Sequence, residues 1–305
     1  MTVALMTQPA AAVPPGWARD GRDWPNREAS RFVRAAGMTW HVQVMGSGPV
    51  ALLAHGTGAA THSWRDLAPL LAAHFTVVAP DLPGHGFSPA PPRARLSLPF
   101  MAGALADLCG ALAVAPAIVV GHSAGAAILA RACLDGRLDP RGLVSLNGAL
   151  LPMYGLPGRI FSPLAKVIAG LPGLATLFTR HTGNRAVVER LLRETGSSID
   201  AAGVDFYARL AATPAHAGGA LNMMAAWDLP PLARDLPKLR PALLLVVGDN
   251  DRSIAPADAE RVRALVPGAR LARLPRLGHL AHEEAPEATA RLILDLARDT
   301  GALAG

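Results

Sequence analysis

The chain has 305 residues, of which 51% are hydrophobic and 17% are charged, so it has ample apolar surface to bury and lacks the composition of a disordered protein. Its two cysteines, Cys109 and Cys133, exclude a disulfide framework and a thiolate zinc site. The net charge of +6 comes from arginines scattered along the chain, whereas nucleic-acid binders concentrate such charge in a stripe. We expect no nucleic-acid partner, no metal and no cofactor.

The predicted elements begin after an irregular lead-in, residues 1–37, and alternate between short apolar strands and helices. Two apolar segments, 42–44 and 50–54, flank a Gly-Ser-Gly-Pro turn, which predicts a hairpin into a central strand. Further predicted strands cover 75–79, 117–120, 143–146, 242–247 and 271–274, and predicted helices cover 64–73, 98–112, 123–133, 256–265 and 286–298. This alternation predicts an α/β fold, a mostly parallel sheet with helices on both faces and chemistry at the carboxyl ends of the strands.

The strands stop between Gly148 and Trp227, where helix-like segments are broken by prolines and glycines. This pattern predicts a helical lid, residues 149–225, inserted into a core made of residues 38–148 and 226–305. The N-terminus lacks a basic signal-peptide region, and no stretch of about 18 apolar residues is free of charges or proline clusters. We therefore expect a cytoplasmic protein with no transmembrane segment, whose mean hydropathy of +0.28 leaves room for loose membrane association.

The clearest chemical pattern is Gly121-His122-Ser123-Ala124-Gly125, which follows an apolar strand and opens a small-residue helix. A G-x-S-x-G sequence in this setting predicts a nucleophile elbow, in which a tight turn displays the Ser123 hydroxyl. The helix N-terminus would then direct free N–H groups at developing negative charge. An ordinary glycine-rich turn is the alternative, but it does not account for the flanking strand and helix.

A serine hydroxyl needs a base, and hydrolases of this design supply an acid and then a histidine later in the chain. The acid candidates follow the strand at 242–247, and we favour Asp251 over Asp249, although both could merely cap a turn. The base candidate is His279, because Gly278 frees it to reach over the sheet edge, while the competing His282 stands at a helix start.

An oxyanion also needs two N–H donors. We expect the first from Ala124 and the second from Thr57, with Gly58 as the alternative, in the His55-Gly56-Thr57-Gly58 loop. His55 and His85 are expected to make structural hydrogen bonds, and the loop from Asp81 to Ser88 is expected to shape the floor of the site.

These motifs, in this order and spacing, resemble the α/β-hydrolase superfamily over roughly residues 38–300. The resemblance implies a Ser123–His279–Asp251 triad. Serine at the elbow differs from the aspartate of dehalogenases and epoxide hydrolases, and fits the branches that cleave esters, thioesters or carbon–carbon bonds or act as cofactor-free perhydrolases.

A narrower resemblance, to the BchO-type magnesium-chelatase accessory hydrolases of bacteriochlorophyll biosynthesis, spans nearly the whole chain. It is carried by Asp23-Trp24-Pro25-Asn26-Arg27, Trp40-His41-Val42-Gln43, the segment from His55 to Asp66, and the segment from Ala215 to Met224. It implies magnesium chelatase subunits as partners.

The predicted lid carries seven basic and four acidic side chains together with several Met and Phe residues. An apolar pocket rimmed by arginines would suit a flat hydrophobic molecule with carboxylates, such as a tetrapyrrole. The simpler interpretation, which we favour, is that the arginines lie on solvated helix faces. Two functions follow from the sequence: a serine hydrolase acting on an ester-like bond of a small, largely apolar substrate, or a non-catalytic or weakly catalytic accessory protein that assists magnesium chelation.

Overall fold

The computed structural model describes residues 16–152 and 184–304. Within these residues the strands form an eight-stranded sheet of order β1-β2-β4-β3-β5-β6-β7-β8. The strands are β1 (Ser30–Ala35), β2 (Met38–Met45), β3 (Val50–Ala54), β4 (Thr76–Pro80), β5 (Pro116–His122), β6 (Gly142–Leu146), β7 (Ala242–Gly248) and β8 (Arg270–Leu274).

Helices cover both faces of this sheet, as the alternation of elements predicts. The described α-helices are α1 (Trp17–Asp20), α2 (Leu67–Ala72), α3 (Leu98–Ala111), α4 (Ala124–Leu134), α5 (Arg185–Glu194), α6 (Ala201–Ala211), α7 (Pro214–Ala226), α8 (Pro230–Asp235), α9 (Pro256–Leu265), α10 (Ala281–Glu284) and α11 (Pro286–Asp299). One apolar core lies beneath α3, α4 and α9, and the other lies beneath α2 and α11. The α/β architecture predicted from the sequence is confirmed.

The first half of the sheet differs from the prediction in two ways. The lead-in at residues 1–37 contains β1, which pairs antiparallel with β2 through a two-residue turn at Ala36 and Gly37. Both turn residues have positive φ, as a tight hairpin turn requires, but Ala-Gly lacks the usual Asn-Gly signal.

The predicted hairpin between β2 and β3 is wrong, because β4 lies between these two strands. β4 pairs antiparallel with β2 and parallel with β3. All five residues of β3 are buried, so this strand needs a neighbour on each side, and it finds them in β4 and β5. The turn at residues 46–49 therefore connects strands that are not neighbours.

Four described α-helices lie between β6 and β7, and the first three of them, α5, α6 and α7, lie where the lid is predicted. The boundaries 149–225 stay a prediction, since residues 153–183 lie outside the described part. Helix α6 packs on the N-terminal segment: the ring of Phe206 lies 5.5 Å from that of Trp24, and Leu210 joins the same apolar cluster. In the described ranges, no helix combines the length and apolar character needed to cross a membrane.

The sharpest packing constraint in the sheet is at the start of α4. A methyl carbon added to Gly125 would overlap the carbonyl oxygen of Ala54 at the end of β3. The chain can therefore bring α4 this close to the sheet only with glycine at this position.

We expect Gly125→Ala to lower the free energy of unfolding by about 2 kcal/mol or more, because the backbone must shift to admit the methyl group. Gly103→Ala in α3 is the matched control. Among the described residues no heavy atom lies within 4 Å of that added carbon, apart from the backbone of its own helix and its chain neighbours. The free energy of unfolding of this control should rise by about 0.5 kcal/mol, because alanine favours the helix more than glycine does. Chemical denaturation of both variants measures the difference, and equal stability would contradict the account.

Candidate active site

Ser123 is the single residue between the end of β5 and the start of α4, and its backbone is strained. Its φ of 50° and ψ of −115° are sparsely populated for a residue with a side chain. Hydrogen bonds on both sides hold it there. The Ser123 N–H donates to the carbonyl of Leu146 at 3.0 Å, and the Ser123 carbonyl accepts from the N–H groups of Ala126 at 3.2 Å and Ala149 at 3.0 Å. The end of β6 and the segment after it thus keep the predicted elbow in place.

His279 and Asp251 meet at the same edge of the sheet. The His279 Nδ1 lies 2.8 Å from Asp251 Oδ2. The other carboxylate oxygen, Oδ1, accepts hydrogen bonds from the N–H groups of Ser253 at 2.7 Å and Ile254 at 2.9 Å. The Asp251 side chain is 1% exposed, so its orientation is fixed by these partners. A carboxylate at Nδ1 leaves the Nε2 lone pair of the imidazole free to accept a proton.

The competing acid and base lie elsewhere. Asp249 is exposed and forms an ion pair with Arg273, whose Nη2 is 2.7 Å away. His282 lies in α10, fully buried, with its Nε2 at 2.8 Å from Ser63 Oγ. Of the candidates weighed from the sequence, the structure brings together Asp251 and His279.

His122 links the elbow to the His279 loop. Its Nε2–H donates to the carbonyl oxygen of His279 at 2.9 Å, and the two ring centroids are 4.8 Å apart. Because His122 directly precedes Ser123, this bond sets the separation of Ser123 and His279. Within the described residues no hydrogen bond joins Ser123 Oγ to His279 Nε2, and such bonds commonly tighten only when substrate binds.

The loop after β3 lies against the elbow. A methyl carbon added to Gly56 would be 3.0 Å from Ser123 Cβ and 2.8 Å from His122 Nδ1. Thr57 is the residue that directly follows this contact. In residues 16–152 and 184–304, the backbone N–H groups of Thr57 and Ala124 have no protein acceptor, so both can serve an incoming oxyanion.

Buried histidines tie this loop to its neighbours. The Nδ1–H of His55 donates to the carbonyl of Gly56 at 2.8 Å, and its Nε2 accepts from the N–H of Leu82 at 2.9 Å. Burial lowers the pKa of His55, so the ring is neutral and can donate and accept at once. His55 makes the structural hydrogen bonds that its position predicts.

Asp81 organises the floor of the site. Its carboxylate contacts the Nδ1 of His41 at 2.8 Å and accepts from the N–H groups of Thr61 at 2.7 Å and Phe87 at 2.8 Å. Burial, the largest single effect, would raise the pKa of this carboxyl, but the contact with His41, the nearby His55 and the hydrogen bond from Phe87 together outweigh burial and lower the pKa below its usual range. The buried carboxylate of Asp81 thus anchors the loop from Asp81 to Ser88 through its hydrogen bond with Phe87.

His216 in α7 joins the described part of the lid region to both loops. Its Nε2–H donates to the carbonyl of Gly58 at 3.1 Å, and its Nδ1 accepts from the N–H of Gly86 at 3.0 Å. Burial lowers the pKa of His216 to about 4. Met223 lies about two turns further along the same face of α7. Its sulfur is 3.9 Å from the Thr57 hydroxyl.

A buried network centred on Glu283 was not predicted from the sequence. Glu283 accepts hydrogen bonds from Ser63 Oγ at 2.7 Å, the Tyr207 hydroxyl at 2.7 Å and Arg65 Nη1 at 2.9 Å. Burial raises the pKa of this carboxyl. The network joins Glu283 of α10, four residues after His279, to Tyr207 of α6. In the sequence, the network is indicated only by a pair of glutamates beside the histidine motif.

The lid arginines that the structure describes are engaged with acidic groups of the protein. Arg185, Arg190, Arg193 and Arg209 pair with Asp205, Glu194, Glu189 and Asp23, respectively. This arrangement fits the solvated-face interpretation. The other basic residues counted for the lid, Arg159, Lys166 and Arg180, lie outside the described residues, as do Met153, Tyr154, Leu156, Phe161 and Phe178. In the described ranges, no group of three or more His, Cys, Asp or Glu side chains is arranged to hold a metal ion.

Comparison with known proteins shows the family of the chain. Residues 51–292 match the model of the alpha/beta hydrolase family. The chain belongs to that family.

A curated relative is similar over almost its whole length. The magnesium-chelatase 30 kDa subunit of Rhodobacter capsulatus is 43% identical over 276 residues, which cover 90% of this chain and 96% of the relative. This match confirms the narrower resemblance found in the sequence.

Solved structures show the same fold. The epoxide hydrolase CorEH superposes with a TM-score of 0.75 at 21% identity, covering 88% of this chain and 98% of its own. An alpha/beta hydrolase fold protein from Burkholderia ambifaria gives a TM-score of 0.73 at 25% identity, covering 87% and 99%.

We expect the free energy of unfolding to fall as the pH drops from about 6.5 towards 4, in part because of His216. In this window the unfolded chain binds a proton at His216 that the folded protein excludes, so acid favours unfolding. His216→Gln keeps a donor and an acceptor but cannot titrate. In this variant the number of protons taken up on unfolding in this pH range should be smaller by about one, so the free energy of unfolding should depend less steeply on pH.

Urea titrations at several pH values measure this slope. An unchanged slope in His216→Gln would show that this ring does not stay neutral in the folded protein.

Proposed function

We propose that the protein is a serine hydrolase that cleaves an ester-like bond by acyl transfer. The observation that carries the proposal is the hydrogen bond between His279 Nδ1 and Asp251 Oδ2, at the same edge of the sheet as the strained Ser123. Ser123 Oγ attacks the acyl carbon while His279 Nε2 accepts its proton, and Asp251 stabilises the resulting imidazolium.

The negative charge that develops on the acyl oxygen is met by the N–H groups of Thr57 and Ala124. His279 then returns its proton to the leaving group, and the acyl chain remains on Ser123. Water, deprotonated by His279, attacks this acyl-enzyme and releases the acid. No step requires a metal or a redox cofactor.

A buried apolar side chain beside the Thr57 loop supports a small, largely apolar substrate. Met223 is fully buried and touches Thr57, on the loop that faces the nucleophile. The described lid arginines already have acidic partners, so they offer little to a substrate carboxylate. A tetrapyrrole substrate rests on the resemblance and on the lid's charge count.

A second function, as an accessory protein in magnesium chelation, is favoured by the relative from Rhodobacter capsulatus. That protein is named a magnesium-chelatase 30 kDa subunit, and the match covers 96% of its length. In this alternative the hydrolase scaffold binds chelatase subunits or their tetrapyrrole during bacteriochlorophyll synthesis, and Ser123 need not react.

We expect a fluorophosphonate probe to label the protein at Ser123, because the probe reacts only with an activated serine. Ser123→Ala should abolish labelling. Asp251→Asn should slow it by ~10³-fold or more, since the histidine loses its charged partner. Asp249→Asn is the matched control, as this carboxylate lies outside the site, and should label like the wild type. A folded wild-type protein that resists the probe would refute the hydrolase proposal.

Complementation separates the two functions. In a strain that lacks the gene, the hydrolase proposal predicts that Ser123→Ala fails to restore the pigment profile seen by mass spectrometry. Full restoration by this variant, at wild-type protein levels, would favour the accessory function instead.

A further inference from the structure

We propose that Asn147 is a positioning residue of this site, which holds the Asp251 carboxylate and shares its charge with His279. The inference rests on the proposed function and deepens it. Asn147 Nδ2 donates to Asp251 Oδ2 at 2.7 Å, the same oxygen that His279 Nδ1 contacts at 2.8 Å. The sequence pattern gives no indication of this role, because the residue belongs to none of the motifs.

The backbone of Asn147 is built to present this side chain. Asn147 follows β6 directly, is 1% exposed and has a φ of 46°, which is uncommon for any residue except glycine and least costly for asparagine among the others. Its N–H donates to the carbonyl of Val246 in β7 at 2.8 Å. The preceding residue, Leu146, accepts the N–H of Ser123. Two consecutive residues thus hold the nucleophile turn and the acid.

The chemistry of the amide fixes its orientation. An ionised carboxylate only accepts hydrogen bonds, so the amide must direct its NH2 group, and not its oxygen, at Asp251. With Ser253 and Ile254 on Oδ1, the buried carboxylate then has four donors. Unlike His279, Asn147 stays uncharged when the imidazole takes up a proton, so it restrains the carboxylate without adding charge beside His279.

This arrangement predicts a specific effect on proton transfer. A donor on Oδ2 draws negative charge away from the histidine, and its removal leaves more of that charge to stabilise the imidazolium. The base is then protonated up to a higher pH. Loss of Asn147 should therefore move the pH dependence of the reaction as well as lower its rate, whereas a merely structural residue would lower the rate alone.

The test measures the rate of fluorophosphonate labelling against pH for the full-length protein. Asn147→Gly removes the donor and keeps the positive φ. We expect a roughly tenfold lower rate, and a pH midpoint of the acid limb shifted upward by about one unit. Ser145→Ala is the matched control. Its hydroxyl lines the same small cavity behind Asp251 without bonding to the carboxylate, and it should behave like the wild type.

Asn147→Asp is the second variant, because it preserves shape and backbone preference. Two carboxyl groups this close lose their protons in separate steps, so the acid limb should extend over a wider pH range than in the wild type.

A measurement independent of catalysis accompanies these rates. The NMR resonance of the His279 Nδ1 proton, assigned with His279→Ala, should shift in Asn147→Gly and stay in place in Ser145→Ala. If the wild type labels but Asn147→Gly keeps its pH midpoint and Asn147→Asp keeps the width of its acid limb, the inference is overturned. If the wild type does not label, the proposed function fails, and an unmoved resonance would then refute the inference separately.

Discussion

The structure depends on the close approach of α4 to the ends of β3 and β5. There Ser123, a residue with a side chain, is held at positive φ between a strand and a helix, and such strain costs about 1–3 kcal/mol. Gly125 allows the approach, since any side chain would overlap Ala54. The Ser123 N–H donates to the carbonyl of Leu146, the Ser123 carbonyl accepts from the N–H of Ala149, and these two hydrogen bonds keep the turn strained. The strained turn exposes the hydroxyl at the edge of the sheet where Asp251 and His279 also lie.

The loops around that hydroxyl are joined mainly by neutral hydrogen bonds. His55, His62, His122, His216 and His282 are all buried, and burial lowers the pKa of each. A neutral imidazole can donate at one nitrogen and accept at the other, so it can join two backbone segments without placing a charge near the acyl oxygen. Two of these rings, His55 and His216, bond to backbone groups through both nitrogens. His122 and His282 each bond through Nε2. Neutral histidines thus fix part of the geometry of the candidate site, and the buried Asp81 carboxylate fixes its floor.

The sequence predicted what local pattern and spacing determine. The helix at 256–265, the strand before Ser123 and the placing of Asp251 and His279 after neighbouring strands all follow from short segments with strong signals. What it did not predict depends on contacts between distant segments. Strand β4 separates β2 from β3 because a buried strand needs two neighbours, which the turn at 46–49 cannot reveal. Asn147 meets Asp251 across 104 residues, and Glu283 meets Ser63 across 220, so neither contact leaves a pattern in the sequence.

The most direct measurement of the central claim is a crystal structure of the protein after reaction with a phosphonate that mimics the tetrahedral intermediate. The account predicts phosphorus bonded to Ser123 Oγ, with one phosphonyl oxygen about 2.7–3.1 Å from the N–H groups of both Thr57 and Ala124. It also predicts His279 Nε2 within hydrogen-bond distance of the ester oxygen. An adduct whose oxygen points away from both amides, or whose phosphorus is attached to another side chain, would contradict the account.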